Sequence, residues 1–227
     1  MSLAIEVTGE RLELHAERAI FWPAKRILFV ADVHFGKGAV FRRAGIAVPS
    51  GDTDDDLARL DGLIASYAPA QLVVLGDLVH GAPGRHSEWV ERVRAWRARH
   101  GEVRMRLIAG NHDRHMDARL LGFELCPDRV AEPPFVLSHH PQPDERGYVL
   151  AGHVHPGVVV RDGWRKHRLP AFVFDARVGM LPAFGTMTGL HEVIMEPKRR
   201  IVAVTPGGLL PLTSAQGSRT GSAPTLR

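Results

Sequence analysis

Residues 107–116 read LIAGNHDRHM, an apolar run that gives way within three residues to an amide, an imidazole and a carboxylate. The run is short and aliphatic, which is typical of a strand covered on both faces. Asn111, His112 and Asp113 follow a glycine, so this stretch alone also fits an ordinary solvated turn. The same change from apolar to polar recurs along the chain, and the repetition predicts both fold and site.

The runs RILFVA, QLVVLG, VRMRLIAG, PFVLS and GYVLAG resemble one another in length and apolar character. SGDTDDDLARLDGLIASY, between the first two, predicts a helix capped by Ser50 or Asp52. HSEWVERVRAWRARHG, between the second and third, predicts a helix that buries Trp89 and Trp96. Strands that alternate with helices predict an α/β layered sandwich. The alternation over residues 3–21 predicts an N-terminal hairpin, and AFVFDARV, HEVIM and RIVAV predict strands of a second sheet.

The chain has 227 residues, a formal charge of +4 and one cysteine, Cys126. Its length suits one α/β domain, which we assign to residues 1–212, followed by a Ser- and Gly-rich tail, residues 213–227, that we expect to be disordered. One cysteine excludes an intramolecular disulfide and a Cys-based zinc site, and favours a reducing, cytoplasmic setting. We expect no signal peptide and no membrane association, because no apolar run is long enough to span a bilayer.

Each of the five apolar runs ends in side chains that bind metals or transfer protons. In chain order these are Asp32 and His34 in DVH, Asp77 in GD, Asn111, His112 and Asp113 in GNHD, His139 and His140 in SHH, and His153 and His155 in GHVH. Because ligands gather where strand ends open onto a shared crevice, we expect these groups to converge. In extended backbone, residues two apart lie on one face, so each D-x-H or H-x-H pair can serve one ion or two neighbouring ions. Two cations about 3.5–4 Å apart are used for in-line displacement at phosphorus, and Asp77 could bridge them.

As a set, DVH, GD, GNHD, SHH and GHVH, over about residues 26–156, resemble the signature of the calcineurin-like metallophosphoesterases. LFVADVHFGKGAVFRRAGIAVPSGDT, VLAGHVHPGV and LPAFGTMTG are similar to a narrower group of that family, the bacterial ligase-associated DNA-damage-response endonucleases called PdeM. The resemblance implies an α/β fold, a four-layer αββα sandwich of two mixed β-sheets flanked by helices. It also implies a dinuclear centre, often manganese, between the sheet edges.

The resemblance also implies a role for each residue of the motifs. The implied ligands are Asp32, His34 and His155 for the first metal, Asn111, His139 and His153 for the second, and Asp77 as the bridge. His112 would donate a proton or stabilise the transition state, and Asp113 would orient its loop. In SHH the family places a histidine directly after a small or polar residue at the strand end. This favours His139 over His140, and the choice stays open.

Nitrogen and oxygen donors without thiolate suit manganese, iron or zinc better than calcium or magnesium alone. The predicted function is phosphodiester hydrolysis with two divalent metals, in a DNA-repair-associated endonuclease. Two alternatives remain open: a phosphodiesterase on small cyclic nucleotides or nucleotide-linked metabolites, and a non-catalytic interaction scaffold. The choice of DNA rests on the resemblance, which also suggests a DNA ligase and a helicase as partners.

Several basic and imidazole side chains near the motifs have two readings. Arg42 and Arg43 follow the first metal motif and are our candidates for contacts to a substrate phosphate. The arginines of the second predicted helix, at positions 92, 94, 97 and 99, fit either a solvated face or a strip that tracks phosphates. His80, His86 and His115 could line the cleft or lie on the surface.

Overall fold

The computed structural model describes residues 1–83, 87–115, 117–162 and 164–212. The predicted tail, His86 and the side chain of His115 lie outside the described part of the chain. The domain boundary at residue 212 therefore stays a prediction. Within the described ranges, no helix is both long and apolar enough to cross a bilayer.

Helices and strands alternate in the first half of the chain, and strands dominate the second half. The α-helices are α1 (Lys37–Arg43), α2 (Asp52–Tyr67) and α3 (Glu88–Arg99). The strands are β1 (Ser2–Val7), β2 (Glu10–His15), β3 (Ala19–Trp22), β4 (Ile27–Val30), β5 (Gln71–Leu75), β6 (Arg104–Ile108), β7 (Glu124–Cys126), β8 (Arg129–Glu132), β9 (Phe135–Ser138), β10 (Tyr148–Ala151), β11 (Pro156–Asp162), β12 (Arg165–Phe174), β13 (Val178–Met180), β14 (His191–Glu192), β15 (Arg200–Thr205) and β16 (Gly208–Leu212). Short 3-10 helices cover Pro23–Lys25, Asp113–His115 and Ala118–Leu121.

The first sheet has the strand order β1-β2-β3-β4-β5-β6-β7. Its first four strands are joined antiparallel, which confirms the N-terminal hairpin and extends it by one strand. From β4 to β7 the strands are parallel neighbours. The apolar runs RILFVA, QLVVLG and VRMRLIAG thus form three adjacent parallel strands whose carboxyl ends lie at one edge.

Helices α2 and α3 cover one face of this sheet. Leu60 of α2 and Trp96 of α3 belong to the same buried cluster as Val74 of β5, so apolar burial holds the layers together.

The cap of α2 differs from the prediction. The helix begins after Gly51, and neither Ser50 nor Asp52 makes a side-chain capping bond. The Asp52 carboxylate instead accepts the N–H of Gly38 at 3.0 Å and joins α2 to α1.

The second sheet has the order β14-β11-β12-β13-β10-β9-β8, with β15 and β16 added beside β12. Strand β10 runs parallel to β9 and to β13, while β12 is antiparallel to its partners, so the sheet is mixed. A buried cluster containing Trp22, Phe29, Phe135 and Phe172 lies between the two sheets. The α/β fold with two packed mixed sheets is therefore confirmed.

The outer layer on the second sheet differs from the expected helix layer. Within the described residues, all three α-helices precede residue 100 and none packs on this face. A third cluster fills it instead, with Val158 and Val160 of β11 and the partly buried Val193 and Met195. The correction has a simple cause: the second half of the sequence is rich in β-branched alternation and lacks helical periodicity.

Candidate metal centre

The ends of the five predicted strands meet, as expected, between the two sheets. Backbone hydrogen bonds continue past the strands and tie neighbouring ends together. The N–H of Asp32 donates to the carbonyl of Gly76 at 3.1 Å, and the N–H of Gly152 donates to the carbonyl of His139 at 3.2 Å. The motif residues therefore lie on turns that are anchored to each other.

Five of the candidate ligands have a left-handed backbone, which residues other than glycine rarely adopt. The φ angles are 53° at Asp32, 54° at His34, 53° at Asp77, 70° at His153 and 52° at His155. Each such residue costs about 1–2 kcal/mol, and such strain clusters at functional sites. The expectation that the D-x-H and H-x-H pairs lie in extended backbone is wrong. These pairs follow the ends of β4 and β10, where the chain turns.

Glycines before the ligands let the strand ends approach closely. A Cβ at Gly76 would overlap the ring of His139, and φ at Gly76 is 81°. A Cβ at Gly152 would lie 2.6 Å from Oδ2 of Asp32. The glycines of the GD and GH motifs are thus required for steric reasons, because any side chain at these positions would clash with a candidate ligand.

The first donor group contains Asp32, His34 and His155. Nε2 of His34 lies 3.4 Å from Nε2 of His155, which in turn lies 3.4 Å from Oδ1 of Asp32. Ligand atoms about 2.1 Å from a shared ion stand about 3.0–3.4 Å apart, so this spacing suits one divalent cation. The Asp32 carboxylate also accepts the N–H of His153 at 2.9 Å, which fixes its orientation.

The second donor group contains Asn111, His139 and His153. Nε2 of His139 lies 3.0 Å from Oδ1 of Asn111 and 3.0 Å from Nδ1 of His153. Nδ1 of His139 lies 3.0 Å from the carbonyl of Leu75. Because a carbonyl only accepts, Nδ1 carries the proton, and the lone pair of Nε2 faces the group.

His139 and His140 occupy different positions in this group. His139 is fully buried, whereas His140 is exposed and its ring contacts that of His153, with centroids 4.3 Å apart. A ligand nitrogen of His140 nevertheless lies within 4.8 Å of those of His139 and His153. His139 is the inner member of the pair and His140 the outer one.

Asp77 lies between the two donor groups. Its Oδ2 is 3.9 Å from Nε2 of His34 and 3.5 Å from Nε2 of His139. Its Oδ1 accepts the backbone N–H of His112 at 2.9 Å. One carboxylate therefore faces histidines of both groups.

Burial favours the neutral form of three imidazoles of the cluster, those of His34, His139 and His153. Burial lowers the pKa of His34 to about 2, with a further contribution from the charge of Lys37. Burial also lowers the pKa of His139 to about 4, and it lowers the pKa of His153. Neutral imidazoles offer lone pairs without competition from protons. Together with the carboxylate and amide oxygens, they form a donor set that fits a divalent metal ion.

His112 is fixed next to the donor groups. Its Nδ1 lies 2.8 Å from the carbonyl of His80, so Nδ1 carries a proton. Its ring stacks on that of His80 at 5.0 Å and stands perpendicular to that of His34 at 5.1 Å. The hydrogen bond to the carbonyl of His80 and the two ring contacts together fix the orientation of the His112 side chain.

Asp113 is buried and accepts four backbone N–H groups. Oδ2 accepts from Asp77 at 2.8 Å and from Gly110 at 2.9 Å. Oδ1 accepts from Leu78 at 2.8 Å and from Val79 at 3.3 Å. Burial raises the pKa of Asp113 to about 6, while these N–H donors favour its charged form. This side chain fastens the GNHD turn to the GD turn.

Arg42 and Arg43 lie at the end of α1 and are exposed. Nη1 of Arg42 donates to the carbonyl of Pro49 at 2.6 Å, and Nη2 of Arg43 donates to the carbonyl of Ala82 at 3.2 Å. A cavity of about 530 Å³ between α1 and the starts of α2 and α3 is lined by both arginines and by Asp52 and Asp54. Acidic groups thus balance the charge beside these two arginines.

The arginines of α3 are held by partners on the protein. Arg92 pairs with Asp54 and Glu88, Arg94 with Glu91, and Arg99 with Asp61. Arg97 donates to the carbonyls of Gly122 and His100. These contacts favour the solvated-face reading over a strip that tracks phosphates.

Sequence reasoning missed Lys37 and gave no firm role to His80. Lys37 begins α1, and burial lowers its pKa while the charges of Asp32 and Asp77 raise it. Its ammonium therefore lies in the field of both carboxylates. Nδ1 of His80 lies 3.4 Å from Nδ1 of His34, which places His80 in the cluster. The signal for Lys37 was its position three residues after His34, but helix α1 was not predicted.

The sequence of the chain matches a known protein family. Residues 25–167 match the family model described as calcineurin-like phosphoesterase, and no curated protein matches the chain. Nuclease MPE from Pseudomonas putida is 40% identical, over 93% of this chain and 100% of that chain, with a TM-score of 0.82. Yfce, a phosphoesterase from E. coli, is 18% identical, over 82% of this chain and 92% of that chain, with a TM-score of 0.40.

The fold and the donor set define a metal-dependent hydrolase of phosphoester bonds. The chain belongs to the calcineurin-like phosphoesterase family.

Proposed function

We propose that the protein is a phosphodiesterase that uses two divalent cations to cleave DNA. The observation that carries the proposal is Asp77, whose Oδ2 lies 3.9 Å from His34 and 3.5 Å from His139 of two separate donor groups. A bridging carboxylate between two ions would require this placement. The 40% identity to a nuclease over 93% of the chain supports a polynucleotide as the substrate.

Each ion has its own set of side chains in this proposal. The first would be held by Asp32, His34 and His155, the second by Asn111, His139 and His153, and Asp77 would bridge them. Bound divalent cations would lower the pKa of water and neutralise the charge of the phosphate group. Manganese is our first choice for both ions, with iron or zinc as the alternatives, because the donors mix imidazole with oxygen.

The remaining side chains of the site handle protons and charge. The contact of Nδ1 of His112 with the carbonyl of His80 fixes the ring, and the imidazolium form, protonated on both nitrogens, would give a proton from Nε2 to the departing oxygen. Asp113 holds the turn that carries His112. Lys37 would attract the phosphate at the metal centre. Arg42 and Arg43 would contact phosphates farther along the DNA strand.

A cellular setting completes the proposal. By resemblance, the protein would act in DNA repair as an endonuclease, in the cytoplasm, with a DNA ligase and a helicase as partners. The substrate is the part of this proposal that is tested first.

The deciding experiment compares substrates with purified protein, with and without manganese. We expect an aryl phosphodiester to be hydrolysed faster than an aryl monoester, and only with the metal. We also expect circular single-stranded DNA to be opened, which an exonuclease cannot do. Asp77→Asn should abolish these activities, and Asp55→Asn, an exposed carboxylate of α2, is the matched control. Efficient turnover of a cyclic mononucleotide with DNA left intact would instead support the small-substrate reading.

A further inference from the structure

The hairpin of β11 and the first half of β12, residues 156–168, carries most of the net charge of the chain. We call it the basic hairpin. Its sequence PGVVVRDGWRKHR has four cationic residues and one acidic residue, a formal +3 in a chain of +4. The hairpin begins directly after His155, one of the candidate ligands. A strongly positive element is therefore joined covalently to the candidate metal centre.

The strand register places three of these cations on one face. Arg161 is directly opposite Lys166, and Arg168 lies two residues along on the same side of the ladder. The alternate residues Val158 and Val160 are buried in the outer cluster of the second sheet, so the three cations lie on the opposite face of the hairpin, where all three are exposed. Like charges directly opposite each other are destabilising, and an anion bound between them would remove this cost.

The cations of the basic hairpin differ from those of α3 in their partners. Among the side chains that the structure describes, which exclude that of Asp162, no carboxylate forms an ion pair with Arg161 or Lys166, and Arg168 donates only to the carbonyl of Leu190 at 2.8 Å. The α3 arginines at positions 92, 94 and 99 are each paired with a carboxylate. The hairpin is therefore the better candidate for binding an external anion.

Trp164 lies in the turn of the basic hairpin and is 103% exposed. The other three tryptophans, Trp22, Trp89 and Trp96, are buried. A large aromatic surface left in water next to cations is suited to stacking on a nucleobase, because every base has a π-face. The combination of stacking platform and cationic face is typical of proteins that bind single strands.

We infer that the basic hairpin binds a single-stranded segment of nucleic acid, with a base stacked on Trp164 and phosphates on Arg161, Lys166 and Arg168. The inference rests on the proposed function, since the same strand would enter the metal centre. At strand rise, the tip of β11 lies about 20 Å from its start beside His155. A stacked strand of about six nucleotides covers that distance. Substrates much shorter than this bypass the hairpin.

The test uses binding of a dT12 oligonucleotide to the full chain, in a His112→Gln background that slows cleavage. Because the other tryptophans are buried, quenching of tryptophan fluorescence by the oligonucleotide reports on Trp164. We expect Trp164→Ala to raise Kd about 5- to 100-fold. Arg161→Gln with Lys166→Gln should lower the slope of log affinity against log salt by roughly 1.4, about 0.7 for each lost contact. Arg94→Gln with Arg99→Gln removes equal charge from α3 and should leave Kd within twofold.

The outcomes separate this inference from the proposed function. With His112 restored, the hairpin variants should hydrolyse an aryl phosphodiester at the wild-type rate. DNA cleavage with unchanged KM and Kd in the hairpin variants overturns the inference and leaves the proposed function standing. Binding of dT12 that depends on the hairpin, in a protein that cleaves no DNA, supports the inference and overturns the proposed function. A response of Trp164 fluorescence to anionic phospholipid vesicles but not to dT12 would overturn the inference in favour of a membrane surface.

Discussion

Asp113 holds Asp77 through the backbone: Oδ2 of Asp113 accepts the N–H of Asp77 at 2.8 Å. The Asp77 carboxylate in turn accepts the N–H of His112 at 2.9 Å, so the GD and GNHD turns lock each other. The candidate bridging ligand Asp77 and the candidate acid His112 thus belong to one rigid unit. Within it, the carboxylate of Asp77 faces the donor groups and that of Asp113 holds the backbone.

Replacing Asp113 with Asn should destabilise the fold. Each oxygen of Asp113 accepts two backbone N–H groups, so an amide in either orientation turns its NH₂ toward two buried donors. Leaving buried donors unsatisfied costs about 1–3 kcal/mol each, and we expect the free energy of unfolding to fall by about 2–5 kcal/mol. Urea denaturation followed by circular dichroism measures it.

A matched control for this variant is Asp117→Asn. Asp117 caps the 3-10 helix Ala118–Leu121 by accepting the N–H of Arg119, and Asn caps about as well as Asp. The control should change the free energy of unfolding by less than about 0.5 kcal/mol. Equal midpoints for Asp113→Asn and Asp117→Asn would contradict the role given to Asp113.

Asp77→Asn should reduce both metal content and activity. The change removes the negative charge of a carboxylate that faces both donor groups, while the side chain keeps its size. Elemental analysis of the purified variant should find fewer than two ions per chain, and phosphodiester turnover should fall with it. Two tightly held ions in Asp77→Asn would contradict the bridging role, and Asp55→Asn controls for loss of charge alone.

His112→Gln should separate proton transfer from metal binding. If His112 acts as the acid, the variant keeps its metal and loses turnover by about 10²–10⁴-fold on a substrate with a poor leaving group. The loss should shrink with a p-nitrophenyl leaving group, which needs no proton. An equal loss for both leaving groups, or a loss of metal, would rule out this role.

Lys37→Gln should weaken the handling of phosphate without removing metal. The ammonium lies in the field of Asp32 and Asp77, where a substrate phosphate would meet it. A hydrogen bond to a charged group is worth about 1.5–3 kcal/mol, so kcat/KM should fall roughly 10- to 100-fold. Steady-state kinetics with matched metal analysis checks this. Wild-type kcat/KM in Lys37→Gln would exclude a substrate contact, and Arg99→Gln tests for general charge loss.

The sequence predicted the parts of the fold that periodicity and burial determine. The apolar runs became β4, β5, β6, β9 and β10, and the stripe with Trp89 and Trp96 became α3. Their motif residues converge because parallel strands bring like ends to one edge. The cap of α2 was not predicted correctly because Asp52 makes a tertiary contact to Gly38 instead. Helix α1 was not predicted because it has only seven residues.

The geometry of the site was less accessible from sequence than its composition. Left-handed backbone at Asp32, His34 and Asp77 depends on contacts from neighbouring strands, and local propensity opposes it. We predicted phosphate contacts for Arg42 and Arg43 because these residues follow the first metal motif closely in the sequence. Tertiary structure decides which cations have a carboxylate partner and which do not. The sequence alone therefore did not distinguish the basic hairpin from the other arginine-rich segments.

The most direct test of the account is a titration of chelator-treated protein with Mn²⁺, following bound metal and phosphodiester turnover in the same samples. The account predicts two bound ions per chain and a rate that rises from baseline as the second site fills. Asp32→Asn and His153→Gln should each lower the number of bound ions, while His140→Gln should keep two. Full turnover without added metal, or saturation of the rate with no bound ion, would contradict it.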